Sequence, residues 1–339
     1  MLRIAMLSFA HVHANDYARQ VNAHPESQIQ CIWDDDEARG SEAAQKYGVP
    51  YERDLNKVLT SSEIDAVLIN APTTQHTELL LAAARHGKHI FTEKALTVTT
   101  ADADQVVKAV HDAGIKFVIS LPSRTRPETL FIKQALDNGL LGKITMMRAR
   151  VAHMAALDRW FHGGSAWFGD ASQAGGGALF DLGCHTVDVM RWFLGEPVSV
   201  IAKVQNFSGA YDIDDNCVAV VEFKSGALGI LDVSWVHRMG PNPLEIYGTE
   251  GYIGRQDSGG LMLGSRKATI QDYPGPGTPY IVPTQMPEAL PMPFNQWVSA
   301  ILHGTSPTIT VEDGRNLTEL LEGIYTAART QREHKFGQG

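Results

Sequence analysis

Three stretches hold residue types that can do chemistry. The first is Ser8-Phe9-Ala10-His11-Val12-His13, which follows a short apolar run and carries two imidazoles two residues apart. The second is Glu93-Lys94-Ala95, a charged pair directly after the run His89 to Thr92. Lys94 could polarise or bind a substrate hydroxyl, although an isolated Glu-Lys pair is more often surface salt-bridge material. The third is Gly175 to Gly195, GGGALFDLGCHTVDVMRWFLG. There Asp181 and His185 stand four apart, so a helix shows both on one face, and Asp188 continues the stripe. Such a stripe suits a lined cleft in which His185 exchanges protons and Asp181 orients substrate or imidazole. It suits equally a capped helix whose histidine is merely hydrogen-bonded.

The elements that must position these residues follow from apolar spacing. Leu2 to Ser8, Gln28 to Trp33, Ala66 to Asn70, His89 to Thr92 and Phe117 to Ser120 read as strands, with a weaker candidate near Pro50. Between them Asn15 to Ala23, Asp36 to Tyr47, Thr74 to His86 and Ala101 to Asp112 read as helices, and Gly87 and Gly114 fall where helix caps belong. This alternation is the rhythm of a parallel sheet with crossover helices. From Arg124 the character changes. A helix over Glu128 to Asn138 leads into strands at Ile144 to His153, Val198 to Phe207, Cys217 to Phe223, Ala227 to Val236 and Leu244 to Tyr247. The Gly- and Pro-rich Gly254 to Met292 segment predicts short edge strands and loops. Asn295 to His303 and Glu312 to Gln331 predict helices, the latter opened by a Thr310/Asp313 box. The expected architecture is α/β: a doubly wound parallel domain over 1–122 and a mostly antiparallel α+β domain over 123–339, whose C-terminal helices can pack back on the first.

In a doubly wound sheet the ligand lies beyond the carboxyl ends of the strands. A dinucleotide fold ordinarily places G-x-G-x-x-G in the first turn, and no glycine occurs from Ser8 to His13. What remains is a strand leading to a helix N-terminus that can face an anion, and Asp34, placed to accept ribose hydroxyls. The acidic run Asp34-Asp35-Asp36 would repel the extra phosphate of NADP and so favours NAD; Asp36 is also explained by helix initiation. His11-x-His13 permits a zinc reading, since imidazole is a good zinc ligand. That reading needs ligands on later parallel strands, and residues 144–250 read as antiparallel, so no metal is expected.

Composition bounds the partners. Among 339 residues, Lys and Arg number 29 and Asp and Glu 38, a net charge of −9 that gives a nucleic acid no foothold. With 44% hydrophobic and 20% charged residues the chain has material for ordinary globular cores. Three scattered cysteines, Cys31, Cys184 and Cys217, indicate no disulfide framework and fit a reducing compartment, so a cytoplasmic location is expected. No apolar run is long enough for a membrane helix. The opening MLRIAMLSFA reads as a buried strand rather than a signal segment.

Together, Gly87-Lys88-His89 followed by Glu93-Lys94, Arg124 with Pro127, the GGG-to-Gly195 run and Leu244 to Gly251 resemble the glucose-fructose oxidoreductase / inositol dehydrogenase / MocA family over nearly the whole chain. The resemblance implies a Rossmann domain, an open antiparallel sheet through which homodimers or homotetramers form, and hydride transfer between NAD(P) and a sugar or cyclitol carbinol. It implies catalytic roles for Lys94, Asp181 and His185. It implies cofactor contacts at Ser8, Phe9, Ala10, His11, Val12, His13, Asp34, Ala71, Pro72, Thr73, His76, Glu93 and Lys94. Two departures stand out. Ala95 replaces the family's usual proline, and the backbone amides of Phe9 to Val12 are left to hold the pyrophosphate with side chains present. On the substrate side Arg124 is positioned for an anionic group, and Trp160, Phe161 and Trp167 for a pyranose face. Some relatives oxidise a glycoside transiently and so hydrolyse it with no net redox change. A non-catalytic sugar or nucleotide sensor is the remaining alternative, one that would need neither Lys94, Asp181 nor His185.

Overall fold

The structure is a computed structural model and describes residues 1–255, 260–267 and 280–337. The strands are β1 (Leu2–Leu7), β2 (Ser27–Trp33), β3 (Ala66–Ile69), β4 (His89–Thr92), β5 (Phe117–Ile119), β6 (Ile144–Ala152), β7 (Pro197–Gln205), β8 (Asn216–Phe223), β9 (Leu228–Ser234), β10 (Leu244–Gly248), β11 (Gly251–Arg255), β12 (Leu261–Ser265) and β13 (His334–Lys335). The helices are α1 (Ala14–Ala23), α2 (Glu37–Tyr47), α3 (Leu55–Thr60), α4 (His76–Arg85), α5 (Thr100–Ala113), α6 (Pro127–Asp137), α7 (Ala171–Ala174), α8 (Cys184–Leu194), α9 (Pro293–His303) and α10 (Val311–Thr330).

Two compact units emerge. The first comprises Met1–Leu121, Phe161–Gly175 and Pro291–Glu319; the second comprises Pro122–Trp160, Gly176–Leu290 and Leu320–Gly339. The first unit holds a five-stranded parallel sheet in the order β2-β1-β3-β4-β5. Its central strands are apolar runs buried on both faces, such as Ala66–Ile69, because helices cover both sides. The order reverses beside β1, which puts a ligand crevice at the carboxyl ends of β1 and β3. Two segments distant in sequence complete this unit. On α9, Phe294 and Trp297 pack their rings 6.1 and 5.7 Å from Phe91 of β4, and Trp167 hydrogen-bonds the first turn.

The second unit is built on an eight-stranded sheet, β12-β11-β10-β6-β9-β8-β7-β13, in which only the β6/β9 pair is parallel. Inward alternation on β8 (Cys217, Ala219, Val221 and Phe223 all buried) gives one covered face, on which α8 lies. The Thr310/Asp313 box forms, Thr310 N–H donating to the Asp313 carboxylate at 2.9 Å.

Two local expectations need adjustment, and two short elements were not expected at all. The Pro50 candidate makes only a single bridge, Ile32 to Tyr51. The segment at Thr74 starts as a 3₁₀ turn, Thr73–Gln75, before α4. α3 and β13 carry too few residues for a period to show. Within Gly254 to Met292, residues 256–259 and 268–279 lie outside the described residues.

Candidate active site

The first turn is organised around hydrogen bonds that it makes with its own unit. Ser8 takes a left-handed φ of 71° and is fully buried. Phe9 N–H donates to the Asp34 carboxylate (2.7 Å), Ala10 N–H to Ser8 Oγ (3.2 Å) and His11 N–H to the Asn70 carbonyl (3.0 Å). His13 N–H donates to His11 Nδ1 (3.2 Å). The expectation that amides of Phe9 to Val12 hold the pyrophosphate therefore needs correction: those of Phe9, Ala10 and His11 already have protein acceptors. Phe9 turns its ring to Tyr47 of α2, 5.8 Å away, and Val12 is 54% exposed.

Beyond β4, Glu93 is buried and meets both histidines. His13 Nδ1 lies 2.9 Å from Glu93 Oε1, His11 Nε2 lies 3.8 Å from Oε2, and Lys94 N–H donates to Oε2 at 3.1 Å. Burial alone would raise the Glu93 carboxyl, but the neighbouring His11 and His13 imidazoles, the latter also through its hydrogen bond, and Lys94 outweigh it and hold it well below its usual range. The Glu93 hydrogen bond in turn raises His13, against partial desolvation and Lys94. One donor atom from each of His11, His13 and Glu93 lies within 4.8 Å of the others, a span that a cation's ligands could have. The zinc reading thus finds a third donor, just beyond the carboxyl end of β4. Protonation argues against it. His11 Nδ1 accepts the His13 N–H, so in the neutral ring Nε2 bears the proton and points that hydrogen, not a lone pair, toward Glu93.

At the end of β2, Asp34 accepts from Phe9 and Asp36 amides and from Arg39, whose Nε and Nη2 reach it at 2.9 and 2.5 Å. Arg39 also binds Asp35 at 2.7 Å. This arginine, one turn into α2, escaped the sequence reading, which weighed the acids alone. Ala71, Pro72 and Thr73 are buried after β3. His76 needs correcting as a cofactor contact: its nitrogens face the Ala71 and Ala95 carbonyls at 3.0 and 2.8 Å, so it ties the two loops together. The Lys94-Ala95 bond between them is cis. Asn70 was also missed. It is fully buried at the carboxyl end of β3, and neither polar atom of its carboxamide has a hydrogen-bond partner. An orphaned amide of this kind is costly unless a polar ligand satisfies it, so the switch point fits a dinucleotide.

Trp167 belongs to this unit too, but as support. It is 6% exposed, donates Nε1–H to the Ala10 carbonyl (2.9 Å) and stacks on Phe168, which also stacks on Phe161. The expected role of Trp167 as a sugar face is therefore corrected to that of a brace for the first turn.

In the second unit the glycine run is forced by contact. A Cβ on Gly177 would lie 1.9 Å from the Asp214 carbonyl oxygen, and one on Gly176 2.5 Å from the Tyr325 hydroxyl. Asp214 grips this start of the helix: its Oδ1 accepts from Gly177 N–H and Tyr325 O–H, both at 2.8 Å, and its carbonyl accepts from Ala178 N–H at 2.9 Å. Leu179–Gly183 then winds as a π turn before α8. A π turn takes more residues per revolution than an α turn, and such insertions concentrate at functional sites. Asp181 and His185 are both half-buried. His153, at the end of β6, lies within electrostatic reach of Asp181; burial lowers its pKa and Asp181 opposes the shift. It stacks on the half-exposed Trp160 with ring centroids 4.8 Å apart. No spacing rule joins His153 to Asp181, because it is the packing of the π turn against β6 that brings them near.

Asp188 leaves the expected stripe. It is buried against Arg124, whose Nε and Nη2 reach its two oxygens at 3.0 and 2.6 Å, with Trp192 under the guanidinium at 5.2 Å. Arg124, expected at an anionic substrate, is thus committed to a buried ion pair.

Fold and side chains together define a nucleotide-binding Rossmann unit joined to a sheet unit bearing an Asp/His helix. Residues 2–120 match the model of the oxidoreductase family with NAD-binding Rossmann fold, and residues 129–254 match the GFO/IDH/MocA C-terminal domain. The chain belongs to the GFO/IDH/MocA family. It is 25% identical over 321 residues to scyllo-inositol 2-dehydrogenase (NAD(+)) of Bacillus subtilis (strain 168), covering 91% of this chain and 89% of that one. It is 27% identical over 259 residues to myo-inositol 2-dehydrogenase of Thermotoga maritima, covering 74% of each. Its fold is similar to that of a levoglucosan dehydrogenase solved with NADH and L-sorbose, with TM-score 0.84, 21% identity, and coverage of 100% of this chain and 99% of that one.

Proposed function

We propose that the chain is an NAD-dependent dehydrogenase acting on a secondary hydroxyl of a sugar, sugar acid or cyclitol. The observation that carries this reading is the Glu93-Lys94 pair at the carboxyl end of β4, in the sheet whose switch point leaves Asn70 unsatisfied. When bound, NAD supplies the acceptor for hydride and, reduced, its donor. Asn70 would hold it, with Ala71 to Thr73 forming the wall beside it; the Asp34 carboxylate, buried and already accepting from Phe9, Asp36 and Arg39, is corrected from a ribose contact to an anchor of the first turn and of Arg39. Lys94 Nζ stabilises the developing alkoxide, His185 takes the hydroxyl proton and Asp181 orients the substrate. NAD is preferred over NADP because the extra 2′-phosphate of NADP would have to win Arg39 from both Asp34 and Asp35. The inositol dehydrogenases to which the chain is similar support a cyclic polyol as substrate class.

No helix among the described residues is long and apolar enough to cross a membrane. A homodimer or homotetramer formed through one face of β7–β9 agrees with Ile201, Val218 and Leu228 being 55%, 48% and 44% exposed there.

A panel of polyols, sugars and glycosides incubated with enzyme and NAD tests the reading. NADH should accumulate with one class of free polyol. Lys94→Ala and His185→Ala should each lower kcat by about 10²–10⁴-fold while leaving NAD affinity within about twofold. Aglycone release without net NADH would replace the reading with redox-neutral glycoside hydrolysis, and tight NAD binding with no turnover would replace it with a sensor.

A further inference from the structure

We propose that His13, held by Glu93 at the start of α1, is the cationic contact for the pyrophosphate of the dinucleotide. The inference rests on the NAD-binding reading above and names the group that substitutes for the absent glycines. A glycine-rich turn binds pyrophosphate by aiming backbone N–H groups at it. Here the amides of Phe9, Ala10, His11 and His13 donate to Asp34, Ser8, Asn70 and His11 instead. Of the turn's amides from Phe9 to His13 only that of Val12 has no such acceptor, and a single N–H carries no charge, so a side chain has to supply the rest.

The candidates in the turn are few. Val12 is apolar, Phe9 packs on Tyr47, the Ser8 hydroxyl receives the Ala10 amide, and His11 is 3% exposed between His13, Trp167 and Phe168. His13 differs, its side chain 47% exposed and its ring anchored through Nδ1 to Glu93 Oε1 at 2.9 Å. That bond orients the imidazole, fixes Nδ1 as a donor and leaves Nε2 as the atom that gains or loses the proton. The charged groups facing it are Glu93 and Lys94 from the end of β4 and Asp16 from α1, with the His11 ring beside it. Glu93 and Asp16 favour the imidazolium and Lys94 opposes it, and the balance lies on the charged side of an ordinary histidine. The sign of the pH effect follows. The cation is present below the raised pKa, so pyrophosphate affinity should be highest there and fall as pH rises through it.

The test is calorimetric titration of the full chain with NAD, and with adenosine as a probe that lacks the pyrophosphate, from about pH 6 to about pH 9. Wild-type affinity for NAD should fall on the order of tenfold across that range, with adenosine unchanged. His13→Gln should weaken NAD about tenfold at the acid end, flatten its profile and spare adenosine. His13→Lys, charged throughout, should restore affinity at the alkaline end. A flat wild-type profile with tight NAD binding would overturn the role of His13 and leave the dehydrogenase reading intact. Equal weakening of NAD and adenosine by His13→Gln would overturn it as well, marking the residue as structural. So would a stoichiometric divalent metal in the purified protein that His13→Gln removes. Absence of NAD binding by wild type at every pH would sink the function reading first and this inference with it.

Discussion

The turn before α1 and the turn before α8 each launch a helix next to a buried carboxylate, and they do so with opposite composition. Before α8, Gly176 and Gly177 pass so close to Tyr325 and Asp214 that side chains have no room, and Asp214 receives the amide of Gly177 directly. Before α1, every residue from Ser8 to His13 carries a side chain, and the Asp34 carboxylate, the Ser8 hydroxyl, the Asn70 carbonyl and the His11 ring receive the amides of Phe9, Ala10, His11 and His13. Glycine is compulsory where backbone meets backbone. Where a hydroxyl, an imidazole or a carboxylate can reach the N–H groups, the turn keeps its shape without it.

The largest effect that would break this contrast belongs to Gly177→Ala. The obstructing atom is the carbonyl oxygen of Asp214, itself accepting from Ala178, so no flexible side chain can yield. Overpacking of this kind costs about 1–3 kcal/mol and sometimes more. We expect the upper end or beyond, read as a lower urea midpoint, with activity lost because the segment carrying Asp181 and His185 is displaced. A variant of unchanged midpoint would show that the turn relaxes and that the glycine is not compulsory.

Comparable in its cost to stability, but sparing the segment that carries Asp181 and His185, is Arg124→Met. It would leave Asp188, 1% exposed, without its counter-charge, and breaking one partner of a buried pair costs about 3–5 kcal/mol. Arg124→Met combined with Asp188→Leu should recover most of that loss, since apolar replacement of both partners is often neutral or better. Were Arg124 a substrate contact instead, the single variant would raise KM for anionic substrates selectively and leave the urea midpoint almost unmoved.

What could be read beforehand divides along the same line. Periodicity located β1 to β5 and the crossover helices α1, α2, α4 and α5 because each buries a repeating face, and repeating faces are visible in one dimension. The same argument placed Asp188 on the catalytic stripe and failed: the π turn at Leu179–Gly183 shifts the register, and Arg124, remote in sequence, claims the carboxylate. Arg39, Asn70 and His153 were silent for a related reason. Each matters through a partner or a vacancy that only strand pairing and packing create, as with the unsatisfied carboxamide of Asn70. That the first turn lacks glycine is visible in one dimension; what takes the place of glycine shows only in the hydrogen bonds.

The smallest expected effect makes the sharpest comparison. Val12→Gly puts glycine into the turn that lacks it, at a position 54% exposed and with no positive φ to relieve. If the absent glycine were a handicap in approaching the pyrophosphate, the substitution would tighten NAD binding. It frees none of the amides of Phe9, Ala10, His11 or His13, whose acceptors lie elsewhere in the first unit. We therefore expect NAD affinity within about twofold of wild type, and a stability loss of about 0.5–1 kcal/mol from the greater freedom glycine gives the unfolded chain. Tightening of tenfold or more in the same titration would mean that the backbone contacts the pyrophosphate after all, and His13 would then be an auxiliary to it rather than its replacement.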